Sequence, residues 1–398
     1  ICILSTPSKI FESIVTDQMS EKFKNVISSC QHGFYSKRST TTNLLTLVSY
    51  VINAFENGLD VHAIYTDFSK AFDTVNHSAL LHKLYVYGVR DPLFLWLRSY
   101  ILDRTQCVFL NGSKSAHYDV TSGVPQGSVI GPFLFNVFIN DICFTIKCHK
   151  LLYADDLKIF KSIRSQNDIV RLQSDVTLVE NWSSNNGMAL NKNKCRVIRF
   201  SRKKMALPCI YNLGGIELLS IDVIKDLGVY LDSKLTFLCH YDAIIAKGRK
   251  MLGCVKRWSG DFSDVRVFIV LFNSLIRSLL EYNTVICSPF YVTHVKRFEA
   301  IQNSFLKYLK YRLSLNNIIF ENISLVASYV SLSSLENRRN YHKLCFLFKL
   351  VSGLTDAPEL LSEINFNVPV RILRSPFIFF VPLHRSNYAL HSPLSTII

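Results

Sequence analysis

The chain has 398 residues, 49% of them hydrophobic and 19% charged, with Gly 15 and Pro 11, which excludes a disordered, collagen-like or low-complexity protein and predicts two or three packed domains. Its formal charge of +15 favours a polyanionic partner.

In chain order, Val61 to Thr66 mixes β-branched, aromatic and apolar residues and reads as a buried strand that delivers Asp67 at its C-terminal end. Asn76 is placed to cap a helix whose apolar face is Leu80, Leu81 and Leu84 and whose stop is Gly88. The turn-rich Thr121 to Ser128 leads into Val129 to Phe144, predicted as a helix buried on most sides. Lys150 to Ala154 and Leu157 to Phe160 flank Asp155 and Asp156, the pattern of a β-hairpin that leaves both acids exposed at its turn. Ile169, Leu172, Val176, Val179 and Trp182 recur at helical spacing up to Asn185-Asn-Gly187. Cys195 to Phe200 reads as a strand, Leu213-Gly-Gly-Ile216 as a hairpin turn, and residues from about Phe237 to Leu350 as mostly helical, followed by an irregular tail beyond Thr355.

Eleven cysteines, an odd number with no Cys-x-x-Cys, argue against a zinc knuckle and for a reducing compartment. The most apolar stretch, Val129 to Ile146, is broken by Pro132, Asn136, Asn140 and Asp141, so no membrane span is expected. Opening at Ile1 without a basic leader, the chain reads as part of a longer reading frame. Charge is uneven. Lys and Arg exceed Asp and Glu by 17 to 16 over residues 1–191, by 14 to 5 over 192–260 and by 14 to 9 over 261–398. Chemistry and polyanion gripping are therefore expected in different segments.

Asp67 and the Asp155-Asp156 pair each sit at a strand end, where one antiparallel sheet would gather them. Such a cluster repels itself unless cations fill it, and hard Mg²⁺ suits carboxylate and phosphate oxygens. At these residues a resemblance becomes plain. The chain resembles the reverse transcriptases of LINE-type, non-LTR retrotransposons of the Jockey-like group. The likeness rests on Ser8-Lys-Ile-Phe-Glu12, Gln31-His-Gly-Phe34 with Ser39-Thr40, and Asp67-Phe-Ser-Lys-Ala-Phe-Asp73. It continues through Gly123-Val-Pro-Gln-Gly-Ser128 with Gly131-Pro132 and Ile139-Asn-Asp141, then Tyr153-Ala-Asp-Asp156, Asn191-Lys-Asn-Lys-Cys195 and Lys225-Asp-Leu-Gly-Val229 with His240.

The resemblance implies an α+β right-hand polymerase with an antiparallel palm sheet, a helical thumb and a helical C-terminal extension. Partial fingers would occupy 1–60, the palm 61–200, palm edge and basic thumb 201–260, and the extension 261–398. It implies RNA-directed DNA synthesis from a primer 3′-OH using two Mg²⁺ ions, with Mn²⁺ as a substitute, and partners comprising template RNA, DNA primer or target and deoxynucleoside triphosphates. Asp67, Asp155 and Asp156 would be metal ligands, Asp156 the weakest of them. Lys194 would protonate pyrophosphate or contact phosphate. Phe68, Phe72, Gln126 and Gly127 would meet the incoming nucleotide, Phe72 as the ring that blocks a ribose 2′-OH. Leu227 and Gly228 would grip the primer end. Arg199, Arg202, Lys203 and Lys204 with Lys247, Arg249 and Lys250 would contact phosphates without reading bases. Trp258 beside Lys256 and Arg257 is expected to be a buried helix residue in preference to a stacking platform.

The likeness departs from the family at the start, where an Arg-Pro and basic residues that reach the triphosphate are missing; Lys37 and Arg38 are the candidate replacements. No endonuclease, ribonuclease H domain or zinc knuckle is legible, so self-nicking of the target is not expected. An intracellular, nuclear setting follows from the family alone. The rival reading is a decayed or adopted copy that binds RNA or RNA–DNA hybrid without catalysis; an intron-maturase-like splicing helper is disfavoured by the Jockey-like segments.

Overall fold

The computed structural model describes residues 4–203, 209–262, 264–315, 317–367, 378–380, 383–384 and 386–397. The chain divides into two units, one of residues 1–43 and 59–221, the other of residues 44–58 and 222–398. The breaks between the units fall after residues 43, 58 and 221, so helix α2 (Thr40–Glu56) contributes to both units.

The first unit opens with α1 (Thr6–Lys22). Strand β1 (Asp60–Thr66) is almost wholly buried, as its run of apolar and β-branched residues dictates. After a 3₁₀ turn at Ala71–Asp73, α3 (His77–Val86) starts where the Asn76 side chain accepts from the Ala79 N–H; Leu80 and Leu84 are its buried residues along with His77. Helix α4 (Leu93–Ile101) and four two-residue strands follow, β2 (Thr105–Gln106) pairing with β5 (Tyr118–Asp119) and β3 (Phe109–Leu110) with β4 (Ser113–Lys114). The expected buried helix is present but split. α5 (Gly131–Ile139) is followed by the single turn α6 (Ile142–Thr145), and between them the Asn140 side chain accepts from the Ser28 N–H and donates to the Val26 carbonyl.

Strands β6 (His149–Tyr153) and β7 (Asp156–Ile163) form the predicted hairpin. Helix α7 (Gln166–Asn186) follows, with a Ser165/Asp168 capping box at its start and Gly187 in the left-handed region at its end. Strand β8 (Arg196–Phe200), the hairpin of β9 (Asn212–Leu213) and β10 (Ile216–Glu217), and β11 (Leu219–Ile221) complete the unit. The main sheet runs β11-β8-β1-β7-β6. It is antiparallel throughout except at one edge, where β11 lies parallel to β8, a correction to the all-antiparallel expectation. Its apolar core includes Ile64, Leu80, Phe135, Phe138, Leu152, Ile159, Leu172 and Trp182.

The second unit begins, after its share of α2, with the hairpin of β12 (Val223–Asp226) and β13 (Val229–Asp232). It continues as helices, α8 (Leu238–Trp258), α9 (Val265–Leu271) running through a π-helical stretch into α10 (Ser278–Leu280), α11 (Thr284–Cys287), α12 (Val292–Ser314), α13 (Ile323–Tyr329) and α14 (Leu335–Val351). Phe272 and Phe305 stack face to face at 4.2 Å in its core. The tail beyond Thr355 holds the short helices α15 (Pro358–Ser362) and α16 (Asn387–Leu390). No helix among the described residues is long and apolar enough to cross a membrane.

Candidate active site

Strand pairing brings the acids together. Thr66 is the last residue of β1 and faces Leu157 of β7, so one further step of the same register sets Asp67 across from Asp156. On the other side of β7, Tyr153 and Asp156 are the last pair of the hairpin, leaving Ala154 and Asp155 as its turn. Ala154 adopts φ 56°, a left-handed conformation that a residue with a Cβ takes only when its surroundings hold it there.

Asp155 is half-buried, not exposed as expected, because the turn is seated against another segment of the unit. Burial, and then the negative charge of Asp67, hold its carboxyl above the usual carboxylate range. The Lys194 ammonium lies 3.6 Å from the Asp67 carboxylate. The turn carrying Lys194 is tied to the same place, since the Asn191 N–H donates to the Asp67 carbonyl at 2.7 Å. Asp67, Asp155 and Lys194 thus share one end of the sheet, and Asp156 is exposed beside them. Among the described residues no group of three or more His, Cys, Asp or Glu side chains closes into a cage for a metal ion. The donor set nevertheless fits a hard divalent ion: two carboxylates repel each other here, and one already draws a cationic side chain that is 68% exposed and free to swing away.

The seat of the turn is the segment Cys30 to Gly33, which lies parallel to β6 at Leu152. The Gln31 Oε1 accepts from the backbone N–H of Ala154 at 3.0 Å and of Gly33 at 2.9 Å, and its Nε2 donates to the Ala154 carbonyl at 3.3 Å. The Asn43 Nδ2 donates to the Leu152 carbonyl at 2.9 Å, and the Asn136 Nδ2 to the Gly33 carbonyl at 2.8 Å. A Cβ added to Gly33 would stand 2.2 Å from the Ala154 nitrogen, so only glycine permits this approach. Arg38, a candidate for phosphate contact, instead donates to the Ser29 and Gln31 carbonyls from below the same segment.

Phe72 sits on the 3₁₀ turn, stacked on Phe135 at 4.2 Å with Phe34 edge-on at 6.1 Å. The loop 122–126 is zipped to this turn: the Val124 N–H donates to the Phe72 carbonyl, the Gly123 N–H to the Val75 carbonyl and the Gln126 Nε2 to the Asp73 carboxylate at 2.7 Å. Gly123, at φ 87°, lies so close to Asp73 that a Cβ would meet its backbone at 2.8 Å. Gly127 is exposed, at φ 93°. Phe68 is a correction: its ring is 4% exposed and packs edge-on to Trp182, so its side chain serves the core.

Residues 1–254 match the family described as reverse transcriptase (RNA-dependent DNA polymerase). The chain belongs to that family. It is 29% identical over 252 residues to the RNA-directed DNA polymerase from mobile element jockey of Drosophila melanogaster, covering 60% of this chain and 27% of that protein. It is 30% identical over 255 residues to the probable RNA-directed DNA polymerase from transposon BS of the same fly, covering 61% and 28%. This reverse transcriptase chain spans about a quarter of the length of the relatives it matches. Among solved structures, apo telomerase from Candida tropicalis aligns at 11% identity with a TM-score of 0.45, covering 86% of this chain and 57% of that one.

The remaining expected residues of this reverse transcriptase family member fall into two groups. Leu227 and Gly228 form the two-residue turn of the β12–β13 hairpin with φ 43° and 88°, both positive, as the tight hairpin geometry requires. Behind that turn the Tyr282 hydroxyl donates to the Leu227 carbonyl at 2.8 Å. Of the basic residues, Lys247, Arg249 and Lys250 are exposed on α8. Arg199 is partly buried and donates to the Cys209 carbonyl, and Lys203 lies 3.5 Å from Asp60, so these two are engaged within the unit. Arg202 is exposed, and Lys204 lies outside the described residues. Trp258 corrects the expectation of burial: it ends α8 with 63% of its surface exposed.

Sequence reasoning assigned no individual role to Gln31, Asn43 or Asn136. Each acts on backbone about 100 residues away or more, which no local pattern could have revealed.

Proposed function

We propose that this chain is the polymerising part of a non-LTR retrotransposon protein, an RNA-directed DNA polymerase that extends a DNA 3′-OH along an RNA template with deoxynucleoside triphosphates. The convergence of Asp67 and the half-buried Asp155 at one sheet end carries the reading, because mutually repelling carboxylates gathered at strand ends are the arrangement that a bound cation makes use of. In this reading the β11-β8-β1-β7-β6 sheet is the palm, residues before β1 belong to the fingers, α8 begins the thumb and the helices beyond it form an extension.

Asp67 and Asp155, with Asp156 beside them, would hold two Mg²⁺ ions. When bound, such ions neutralise charge on the reacting oxygens of a phosphoryl transfer. The chain's own part is positioning. The sheet end fixes the acids, the loop 122–127 presents Gln126 and Gly127 beside the Phe72 turn, and the exposed Lys194 beside Asp67 would meet a phosphate of the nucleotide. RNA-templated primer extension tests this directly: incorporation should stop when the divalent ion is chelated and return when Mg²⁺ is restored, and extension that persists in chelator would reject the reading.

Two expected results follow. If the exposed cations of α8 track a nucleic acid backbone, neutralising Lys247, Arg249 and Lys250 together should flatten the salt dependence of hybrid binding, the log-log slope falling by roughly 1 for each lost phosphate contact. Fluorescence anisotropy across a salt series measures this; an unchanged slope would place the binding surface elsewhere. If the Phe72 ring lies under the sugar of the incoming nucleotide, Phe72→Val should raise ribonucleotide use while deoxynucleotide use changes much less. Single-nucleotide kcat/KM values for the two sugars decide the matter. Equal losses would make Phe72 a packing partner of Phe135 and nothing more.

A further inference from the structure

We propose that Gln31 is a positioning residue for Asp155: its side-chain amide clamps the backbone of Ala154 and so sets the direction in which the next residue presents its carboxylate. The inference rests on the reading of Asp155 as a metal ligand.

The clamp engages both polar groups of one peptide-bearing residue. Gln31 Oε1 accepts the Ala154 N–H at 3.0 Å, while Gln31 Nε2 donates to the Ala154 carbonyl at 3.3 Å. Gln31 is 2% exposed, so neither contact has water as a ready substitute. Ala154 is the residue that needs holding. At φ 56° it occupies a conformation that L-residues avoid, and a two-residue turn joining β6 to β7 has other backbone solutions that aim Asp155 differently. The strand register of the hairpin ends at Tyr153 and Asp156, so Ala154 and Asp155 lie beyond its ladder. Gln31 supplies that missing constraint.

The clamp is itself held from several sides. Its Oε1 also takes the Gly33 N–H, the His32 N–H donates to the Leu152 carbonyl at 2.9 Å, the Leu152 N–H donates to the Cys30 carbonyl at 2.9 Å, and Asn136 holds the Gly33 carbonyl. The absence of a Cβ at Gly33 lets this whole segment close on Ala154. A rigid seat of this kind does what a catalytic carboxylate requires of its surroundings, since a misaimed ligand costs metal affinity even when the fold is intact.

Mn²⁺ binding by the purified chain, followed through the electron paramagnetic resonance signal of the free ion, tests the proposal without depending on turnover. Gln31→Leu should weaken Mn²⁺ binding at least fivefold at a temperature where circular dichroism shows the variant folded. Gln31→Glu, which keeps the acceptor for both N–H groups but loses the donor to the Ala154 carbonyl, should recover only part of the loss. Unchanged affinity in a folded Gln31→Leu protein would overturn the proposal and leave Gln31 a structural residue only. If Gln31→Leu does not fold, hydrogen exchange at the Ala154 amide of the unaltered chain decides: protection of about a hundredfold or more supports the clamp, and exchange at the open-chain rate overturns it. Asp67→Asn and Asp155→Asn separate the two failures. If neither weakens Mn²⁺ binding, the reading of the carboxylates has failed and the clamp has nothing to position; if both weaken it while Gln31→Leu does not, the clamp alone has failed.

Discussion

Asp155→Asn is expected to reduce RNA-templated extension by at least about 10²-fold, in line with the loss of one preorganised charged group at a reacting centre, while hybrid binding stays close to that of the unaltered chain. The amide keeps the size and hydrogen-bonding shape of the side chain and removes the charge. A second readout has the opposite sign. The Asp155 carboxyl is held above its ordinary range by burial and by Asp67, so the folded state binds its proton more tightly than the unfolded state does. Below the unfolded value the group is protonated in both states and costs nothing. As pH rises through the raised folded value, the folded chain acquires a charge it disfavours and loses stability. Asp155→Asn should therefore raise the thermal midpoint at pH 7, with the gain fading as pH falls through the raised folded value and absent below the ordinary carboxylate value. A variant both dead and more stable is what a ligand under repulsion predicts. A variant that extends primers at a similar rate, or that is less stable at pH 7, would remove Asp155 from that role.

The second large effect concerns a residue with no side chain. Gly33→Ala would place a methyl carbon 2.2 Å from the Ala154 nitrogen and 2.9 Å from the Tyr153 carbonyl carbon, both backbone atoms that cannot rotate away. One of the two segments must move, and overpacking of this severity costs about 3 kcal/mol. For a unit of this size that lowers the thermal midpoint by roughly 6 to 12 °C. Gly253→Ala supplies the contrast. Gly253 lies inside α8, where the nearest atom to a new Cβ is the far end of Arg257 at 4.0 Å, so the gain in helix propensity should stabilise the second unit slightly. Differential scanning calorimetry of the two variants checks both signs. A Gly33→Ala protein as stable as the parent would mean that the Cys30 to Gly33 segment does not press on the hairpin turn.

The features legible in the sequence were those whose cause is local. The β6–β7 hairpin was readable because apolar strands flank a two-acid turn, α3 because Asn76 precedes its apolar stripe, and α7 because its stripe ends at Asn185-Asn-Gly187. The placing of Asp67 near Asp155 followed from strand-end logic, and Lys194 joined them through a resemblance, not through any pattern of its own. What escaped was non-local. Half-burial of Asp155 comes from a segment more than 120 residues earlier in the chain, and the parallel edge strand β11 depends on a connection that carries no periodic signal. Trp258 was misread because a lone indole in a helix is usually core, whereas here it falls on the outward side of the last turn of α8. The ring of Phe68, which the resemblance set against the nucleotide, lies just beyond the end of β1 and packs on Trp182 instead.

The order β11-β8-β1-β7-β6 also has a consequence for synthesis on the ribosome. Strand β1 ends at Thr66, yet both of its neighbours come later, β7 at Asp156–Ile163 and β8 at Arg196–Phe200. At about 5 to 20 residues per second, the most deeply buried strand of the sheet waits on the order of 10 seconds with both edges unpaired before its second partner emerges. During that interval it is a template for pairing with other nascent chains. Yield of the native protein should therefore depend on translation speed and on holding chaperones more than the stability of the finished sheet would suggest.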